Sequence, residues 1–506
     1  MNDSFWTETS ASTGYPALDG RTEADVAVIG GGLAGLWTAW ELVQTGHRVA
    51  VLEAGRVGAA STGNTTGKAT ALQSLVFSTI ARSAGQGAAR RYGQAQTQAV
   101  ERIAEVSAGL GIDCDLERRP AFIYSTLEHS LPELRAELQA AVAAGVPATY
   151  SSDIGLPFPV AGALRLDGQI QFHPRKLLVA LAENLVRRGS AVYENTRVVA
   201  LDDGEPCVAV TESGASVAAQ HLVVATGYPI TSTPGVRRVL KPRRELVVAG
   251  PIPARDAPQG MYITLEDSVR SIRTAPLDET RRLLIVAGEK FDPGAGNVGE
   301  RFEALAAWAA RELGLREVTH RWSAQDYETQ DRVPLVGPAS QAPDHAHTWL
   351  ATGFGGWGLT NAVVAGRLIT SGIIGERQPG WATPFAPGRL DESSGAAPRT
   401  GNGRSVVRHR IEPDERAAVA AIRPGEGAIV DVGGEHCAAY RDPSGILHLV
   451  SAMCSHLGCR VGFNDAEKTW ECPCHGSRFA PDGAVLQGPA VRPLAPVTTH
   501  LGVAAR

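Results

Sequence analysis

The chain has 506 residues, of which 43% are hydrophobic, so it is long enough for more than one domain with a sizeable core. Its formal net charge of −5 argues against a nucleic-acid-binding face. No apolar run reaches eighteen residues, and the start, MNDSFWTETS, lacks a basic region followed by an apolar core. We therefore expect a soluble, cytoplasmic protein without a membrane span.

Residues 24–55 read as an apolar strand, a glycine-rich turn, a helix and a second apolar strand. The turn has the pattern G-x-G-x-x-G at Gly30, Gly32 and Gly35, which lets a pyrophosphate approach the positive end of the helix dipole. Glu53 ends the second strand, where an acidic side chain accepts hydrogen bonds from a ribose diol. The alternative is a glycine-rich turn in an ordinary α/β unit, but the complete pattern favours a dinucleotide site.

The loop after Glu53 distinguishes FAD from NAD. Residues 54–70, AGRVGAASTGNTTGKAT, are small and rich in Gly, Ser and Thr, so their backbone N–H groups can surround a flavin and its phosphates. This loop resembles that of the D-amino-acid oxidase and glycine oxidase superfamily, which binds FAD. Further segments resemble the same superfamily in the same order, over roughly residues 5–375: they are 168–201, 221–228, 320–337 and 348–369.

The resemblance implies an α/β Rossmann-like FAD-binding domain with an interleaved α+β substrate domain that roofs the flavin. It assigns about 22–80, 151–235 and 321–375 to FAD binding, and about 81–150 and 236–320 to the substrate domain. The motifs and the resemblance together imply these FAD-binding residues: Gly30, Gly32, Leu33, Ala34, Gly35, Glu53, Ala54, Arg56, Ser61, Thr62, Thr66, Val198, Thr226, Gly227, Gly353, Gly355, Gly356, Trp357, Gly358, Leu359 and Thr360.

Catalytic residues are not readable from the sequence. In the superfamily, a substrate carbon bearing an amine or hydroxyl loses hydride to the flavin, and the protein mainly orients the two. The presumed substrate region contains Tyr262, Arg243, Lys290 and Arg273, and Arg273 could clamp a carboxylate bidentately; a structural or surface role is the alternative for each. Val286 stands about where some relatives that react with dioxygen have a lysine, which favours a dehydrogenase over an oxidase.

Residues 376–404 are dense in Pro, Gly, Ser and charge without any period, which predicts a linker after a first module of residues 1–375. Short strand-like runs such as GAIVDV and ILHLV follow, so residues 405–506 are expected to form a small all-β domain.

Two hexapeptides in this domain, CSHLGC at 454–459 and CPCHGS at 472–477, each supply one Cys and one His. A Rieske [2Fe–2S] centre has two thiolates on one iron and two imidazoles on the other. Here the thiolates would come from Cys454 and Cys472, and the imidazoles from His456 and His475. A zinc site is the alternative, since Cys/His quartets also bind zinc.

The segment resembles the Rieske domain of respiratory cytochrome complexes, in which two further cysteines form a disulfide between the cluster loops. Cys459 and Cys474 stand at those positions. High-potential members carry a Ser and a Tyr whose hydroxyls bond to cluster sulfurs; this chain has Ser477 but Phe479. Hydrogen bonds to sulfur tune the potential of a cluster, so we expect an intermediate potential.

These features predict an FAD-dependent dehydrogenase that oxidises a small amine or amino acid and passes electrons through the cluster to an external electron carrier. One alternative is a reductase or desaturase-like enzyme in which electrons enter at the cluster; another is a non-catalytic redox carrier or sensor. A Rieske oxygenase is disfavoured, because the sequence lacks the D-x-x-H-x4-H signature of its separate iron site.

Overall fold

The computed structural model describes residues 4–230, 236, 239–340, 347–390, 415–432 and 434–497. The helices are α1 (Phe5–Glu8), α2 (Leu33–Gln44), α3 (Val76–Gly109), α4 (Leu131–Ala143), α5 (Pro174–Arg187), α6 (Val298–Leu313), α7 (Gly358–Ile373) and α8 (Glu415–Ala420). The strands of the first module are β1 (Arg21–Ile29), β2 (Val49–Leu52), β3 (Lys68–Ala69), β4 (Glu117–Ser125), β5 (Thr149–Ser151), β6 (Gly162–Gln171), β7 (Ala191–Tyr193), β8 (Val198–Asp202), β9 (Cys207–Thr211), β10 (Ser216–Gly227), β11 (Lys241–Pro253), β12 (Met261–Thr264), β13 (Arg270–Pro276), β14 (Arg281–Phe291), β15 (His320–Glu328), β16 (Leu335–Pro338) and β17 (Thr348–Thr352).

The first sheet has the order β16-β17-β10-β1-β2-β7, and β8 and β9 extend it from β10. Strands β17, β10, β1, β2 and β7 are parallel neighbours, so their carboxyl ends meet at one edge, where ligands bind in open α/β sheets. Helices α2 and α7 both begin at this edge. They pack closely, because a Cβ on Gly366 would lie 2.7 Å from Cδ1 of Trp37.

The second sheet is mixed, with the order β15-β11-β14-β13-β12-β4-β6-β3, and β5 pairs with β6. The interleaved substrate domain that the sequence predicted has this sheet as its centre. Strand β6 lies within residues 151–235, which the sequence placed with the FAD-binding segments. It belongs to the second sheet because it pairs antiparallel with β4, and β15 belongs there because it pairs with β11. The chain therefore crosses between the sheets within these segments.

The first part of the predicted linker packs on the first module. Residues 383–385 and 387–390 form short 3₁₀ turns, and Trp381 and Phe385 are buried in the main hydrophobic core. Arg389 forms an ion pair with Asp331 at 2.8 Å. Composition predicted a linker here, but two aromatic side chains supply enough apolar surface to hold the segment down. Residues 391–404 of the predicted linker lie outside the described residues.

Apart from the short helix α8, the C-terminal module is built of β-strands, so the predicted fold class is confirmed. One antiparallel sheet contains β18 (Gly427–Val432), β19 (Glu435–Arg441) and β20 (Leu447–Ser451), and the other contains β21 (Gly462–Asn464), β22 (Thr469–Glu471), β23 (Arg478–Phe479) and β24 (Val485–Gln487). The two Cys/His hexapeptides occupy the connections that precede β21 and β23.

A buried ionic network joins this module to the second sheet. Arg244 of β11 is 1% exposed and forms ion pairs with Glu467 and Glu471, and Ser323 donates a hydrogen bond of 2.8 Å to Glu467. A second contact lies at the start of α6, where Asp465 accepts hydrogen bonds from the N–H groups of Val298 and Gly299. The two modules therefore share an interface that contains buried ion pairs and hydrogen bonds.

Arg244→Gln should lower the free energy of unfolding by about 3–5 kcal/mol, because it removes the cation buried against two carboxylates. Arg243→Gln is the matched control: Arg243 pairs with Asp292, and these side chains are 36% and 65% exposed, so about 1 kcal/mol or less is expected. Urea denaturation monitored by circular dichroism measures both, and equal losses would contradict the interpretation.

Candidate functional site

A long cavity follows the carboxyl ends of the first sheet and continues between the second sheet and the C-terminal module. Most of the residues predicted to bind FAD line it: Gly30, Gly32, Leu33, Ala34, Glu53, Ala54, Ser61, Thr62, Thr66, Val198, Thr226, Gly227, Gly353, Gly356, Gly358 and Leu359. These residues come from five separate segments, so the fold brings together residues that are far apart in the sequence.

Five predicted residues do not line the cavity: Gly35, Arg56, Gly355, Trp357 and Thr360. A Cβ on Gly35 would lie 1.9 Å from the carbonyl oxygen of Gly30, so this glycine lets α2 pack against the turn. The Arg56 guanidinium donates to the carbonyl of Thr13, and the Thr360 hydroxyl accepts a hydrogen bond from Gln73 at 3.0 Å.

The glycine turn has the backbone that the pattern requires. Gly30 has a φ of 112°, a region that favours glycine, and a Cβ there would lie 2.6 Å from the carbonyl oxygen of Ala225 on β10. Any side chain at this position would push β1 away from β10. The turn can therefore bring its backbone close to a ligand at the N-terminus of α2.

The Glu53 carboxylate is held by two backbone donors. It accepts hydrogen bonds from the N–H of Gly31 at 2.6 Å and of Gly55 at 2.8 Å. Burial raises its pKa, and these two hydrogen bonds oppose that rise. Sequence reasoning missed Gly31, which must be small because a Cβ would lie 2.9 Å from Cβ of Glu53; the run of three glycines was the available signal. Glu53 lines the cavity in this fixed orientation, which fits a ribose diol.

Of the two roles considered for Arg273, a carboxylate clamp or a structural residue, its surroundings fit the structural one. Its guanidinium is 1% exposed, donates to the carbonyls of Gly67 at 2.6 Å and Phe172 at 3.2 Å, and stacks over Trp6. Tyr262 is structural for a similar reason, since its hydroxyl donates to the Ile154 carbonyl at 2.9 Å.

Val286 does not line the cavity, because it is fully buried in the core of the second sheet.

The second-sheet side of the cavity carries charge of both signs. Arg243 and Lys290 line it, together with three carboxylates that sequence reasoning missed: Glu245, Asp326 and Glu328. The available sequence signal was the two-residue spacing of Asp326 and Glu328, which places both side chains on one face of strand β15. Burial raises the pKa of Asp326 to about 6, although it accepts hydrogen bonds from Tyr327 and Gly356. This wall can orient an ionic substrate.

The two cluster loops bring the predicted ligands together in pairs. A hydrogen bond from the Cys472 thiol lowers the pKa of Cys454 against the opposing effect of burial, with smaller contributions from the His456 N–H and the Ser477 hydroxyl. The rings of His456 and His475 lie 5.0 Å apart. Two adjacent buried sulfurs and two adjacent imidazoles are the donor arrangement that a Rieske centre needs.

The predicted disulfide is present between Cys459 and Cys474, and it joins the two cluster loops. The Cys472 sulfur lies within 4.8 Å of both disulfide sulfurs, so the covalent bond directly braces a ligand position.

Tyr228 connects the cavity to the cluster loops. It is 2% exposed and lines the cavity, and its ring centroid lies 5.2 Å from that of His475 and 6.1 Å from that of His456. Beside it, Gln325 of β15 donates a hydrogen bond of 2.8 Å to the carbonyl of Gly476. Tyr228 ends the 221–228 segment, but the sequence alone assigned it no role, because its contact with the histidines depends on the packing of the two modules.

The fold combines a parallel dinucleotide-binding sheet with an interleaved mixed sheet, and it is joined to a centre formed by two Cys/His loops. This combination defines an FAD-dependent oxidoreductase that carries a Rieske cluster. The family model for FAD dependent oxidoreductases matches residues 25–371, and that for the Rieske [2Fe-2S] domain matches residues 415–499. The chain belongs to the FAD-dependent oxidoreductase family and has a C-terminal Rieske domain.

Similar proteins support the same architecture. A Bacillus subtilis (strain 168) protein named as a Rieske 2Fe-2S iron-sulfur protein, YhfW, is 32% identical over 498 residues, 97% of each chain. Gamma-glutamylputrescine oxidoreductase of Escherichia coli (strain K12) is 25% identical over 381 residues, 72% of this chain and 87% of the relative. Glycine oxidase from Geobacillus kaustophilus has the same fold over 72% of this chain and 98% of its own, with a TM-score of 0.58 at 21% identity.

These matches confirm the predicted fold class, FAD and a [2Fe–2S] cluster as cofactors, and oxidoreductase activity. No helix among the described residues is long and apolar enough to cross a membrane. The cytoplasmic location and the individual FAD-binding residues stay predictions.

Glu53→Ala should weaken FAD binding roughly ten- to hundredfold, because a hydrogen bond to a charged group is worth about 1.5–3 kcal/mol. Glu23→Ala, at an exposed position earlier on β1, is the matched control and should leave the affinity unchanged. Flavin fluorescence titration of the apoprotein measures both. An unchanged affinity in Glu53→Ala would place the ribose clamp elsewhere.

Phe479→Tyr should raise the reduction potential of the cluster. Phe479 is fully buried beside Cys454 and Cys472. A new hydroxyl bonded to a ligand sulfur stabilises the added negative charge of the reduced form, and about 1.5 kcal/mol corresponds to roughly 60 mV. Ser477→Ala, which removes the donor already present, should shift the potential the opposite way. Potentiometric titration followed by Rieske EPR tests the pair, and shifts of the same sign would refute this account.

Proposed function

We propose that this protein is an FAD-dependent dehydrogenase that oxidises a small amine or amino acid and passes the electrons through its Rieske cluster to an external one-electron carrier. The observation that carries the proposal is the position of Tyr228, whose ring lies in the cavity wall and against both candidate histidine ligands. A flavin site and a cluster site separated by one buried aromatic ring suit direct electron exchange.

When bound, the flavin accepts a hydride from the carbon that bears the nitrogen, and the cluster carries one electron at a time. The substrate amine loses two electrons and two protons and becomes an imine. Two molecules of a one-electron carrier therefore balance each substrate oxidised. The protein residues orient the substrate and hold the two cofactor sites at a fixed separation.

The charged side of the cavity supports an amine or amino acid as substrate. Glu245, Asp326 and Glu328 offer acceptors to an ammonium group, and Arg243 and Lys290 offer donors to a carboxylate. Lys290 lies 3.9 Å from Glu328, and Arg243 is turned toward Asp292. The relatives named for gamma-glutamylputrescine and for glycine oxidation support the same substrate class.

The decisive experiment is anaerobic mixing of the holoenzyme with a panel of amines and amino acids while flavin absorbance and Rieske EPR are recorded. Loss of flavin absorbance followed by the reduced-cluster signal is expected for a substrate. Flavin reduction only by an external reduced carrier would reverse the proposed direction. Reduction by neither route would leave only a carrier or sensor role and overturn the proposal.

The same experiment tests Tyr228 as the link. Tyr228→Leu should slow electron transfer from flavin to cluster several-fold, because it replaces the packed ring, whereas Tyr228→Phe should retain it. The EPR signal and potential of the cluster should be unchanged in both variants, which separates the effect from damage to the centre.

The Michaelis constant for a cationic amine should rise as the pH falls through about 6. Burial raises the pKa of Asp326 to about 6, so the carboxylate is charged above this pH and neutral below it. Asp326→Asn removes that charge at every pH and should abolish this step in the profile while raising the constant at neutral pH. Steady-state kinetics between pH 5 and 8 provide the check, and an unaltered profile in Asp326→Asn would exclude this carboxylate.

A further inference from the structure

We propose that residues 485–491 of the Rieske domain form one wall of the FAD site, so that the module that carries the cluster also retains the flavin cofactor. This inference rests on the proposal that FAD occupies the cavity. It concerns residues outside the match to the FAD-dependent oxidoreductase model, which ends at residue 371.

The wall is contributed by the turn and strand that follow the second cluster loop. Six residues of the Rieske domain line the cavity that the FAD-binding segments line: Arg478, Leu486, Gln487, Gly488, Ala490 and Val491. Leu486 is 49% exposed, so a large apolar side chain stands at the cavity surface in reach of a ligand. Apolar contact of this kind contributes to ligand binding in proportion to the area that it removes from water.

The wall faces the end of the cavity that contains Glu53. Arg197 lines the cavity and donates a hydrogen bond of 3.2 Å to the carbonyl of Val485. The charge of Arg197 is also close enough to Glu53 to lower the pKa of that carboxyl against the effect of burial. Since Glu53 is the predicted ribose clamp, residues 485–491 close the nucleotide end of the site.

Contacts remote from the cavity hold this wall in place. Asp465 accepts hydrogen bonds from Val298 at 2.7 Å and from Gly299 at 3.2 Å. The backbones of Gly462 and Gly294 meet beside them, since a Cβ on Gly462 would lie 2.2 Å from the carbonyl oxygen of Gly294. None of these five residues lines the cavity.

Closure by a docked module has a thermodynamic consequence. If FAD is enclosed between the two modules, it binds the docked arrangement more tightly than a separated one. Bound FAD then stabilises docking, and weaker docking must lower the affinity for FAD, because the linkage is reciprocal. We expect that loss to appear as faster release, since affinity differences among variants of one interface lie mostly in the dissociation rate. Removing the contacts of Asp465 should therefore weaken the binding of FAD, although Asp465 does not line the cavity.

The experiment compares FAD release from three full-length holoenzymes: the Leu486→Ala/Gln487→Ala double variant, Asp465→Ala and Ile446→Ala. Ile446 is the matched control, because it is an apolar side chain of the same module, 46% exposed, that does not line the cavity. Release is followed by the rise in flavin fluorescence after dilution, with Rieske EPR confirming that each variant retains its cluster.

We expect release about tenfold faster in the double variant, and faster release in Asp465→Ala, with Ile446→Ala unchanged. Release at the control rate in both test variants would overturn the proposal. The assay uses no substrate, so its result does not depend on the proposed reaction. Glu53→Ala separates the two possible failures: if it releases FAD and the other variants do not, FAD occupies the cavity but the Rieske domain does not retain it.

Discussion

The buried ion pairs of Arg244 with Glu467 and Glu471 are the constraint on which the arrangement of the two modules depends. Burial lowers the pKa of Arg244 to about 10, so it remains charged at neutral pH although it is 1% exposed. Removing such charges from water is costly, and only well-placed partners repay the cost. A docking geometry that displaced either glutamate would leave the arginine uncompensated, so this network selects one orientation of the Rieske domain.

That orientation has two consequences at opposite ends of the interface. At one end, His456 and His475 lie against Tyr228, whose other surface belongs to the cavity. At the other end, Val485 is bonded to Arg197 beside the predicted ribose clamp. One rigid docking event thus sets both the separation between the redox centres and the shape of the cofactor site. The modules have separate hydrophobic cores but share a functional site.

The sequence was informative about sites whose ligands require particular residues at a fixed spacing along the chain. Gly30, Glu53 and the four predicted cluster ligands could be proposed from the sequence because a pyrophosphate, a ribose and an iron pair each demand particular residues at short intervals. The Cys459–Cys474 disulfide followed from resemblance and is present.

Features that depend on packing between distant segments were not predictable in the same way. Arg273 had the right chemistry for a carboxylate, yet the fold surrounds it with backbone carbonyls from segments about 100 and 200 residues away in sequence. Tyr228 acquires its second contact from a module more than 200 residues further along the chain. The first part of the predicted linker packs because Trp381 and Phe385 find apolar partners, which a composition rule does not consider.

Because Arg273 is bonded to backbone carbonyls, the charge of the substrate region comes from other side chains. The remaining cations on that wall already have carboxylate neighbours: Arg243, the cross-strand partner of Asp326, turns to Asp292, and Lys290 lies near Glu328. Asp326 is instead bonded to backbone N–H groups, which orient it without cancelling its charge. Under the proposed function, a substrate ammonium group would meet a carboxylate that is already in position, whereas a substrate carboxylate would compete for its cation. This asymmetry is the reason that we propose an amine or an amino acid as substrate in preference to a neutral alcohol.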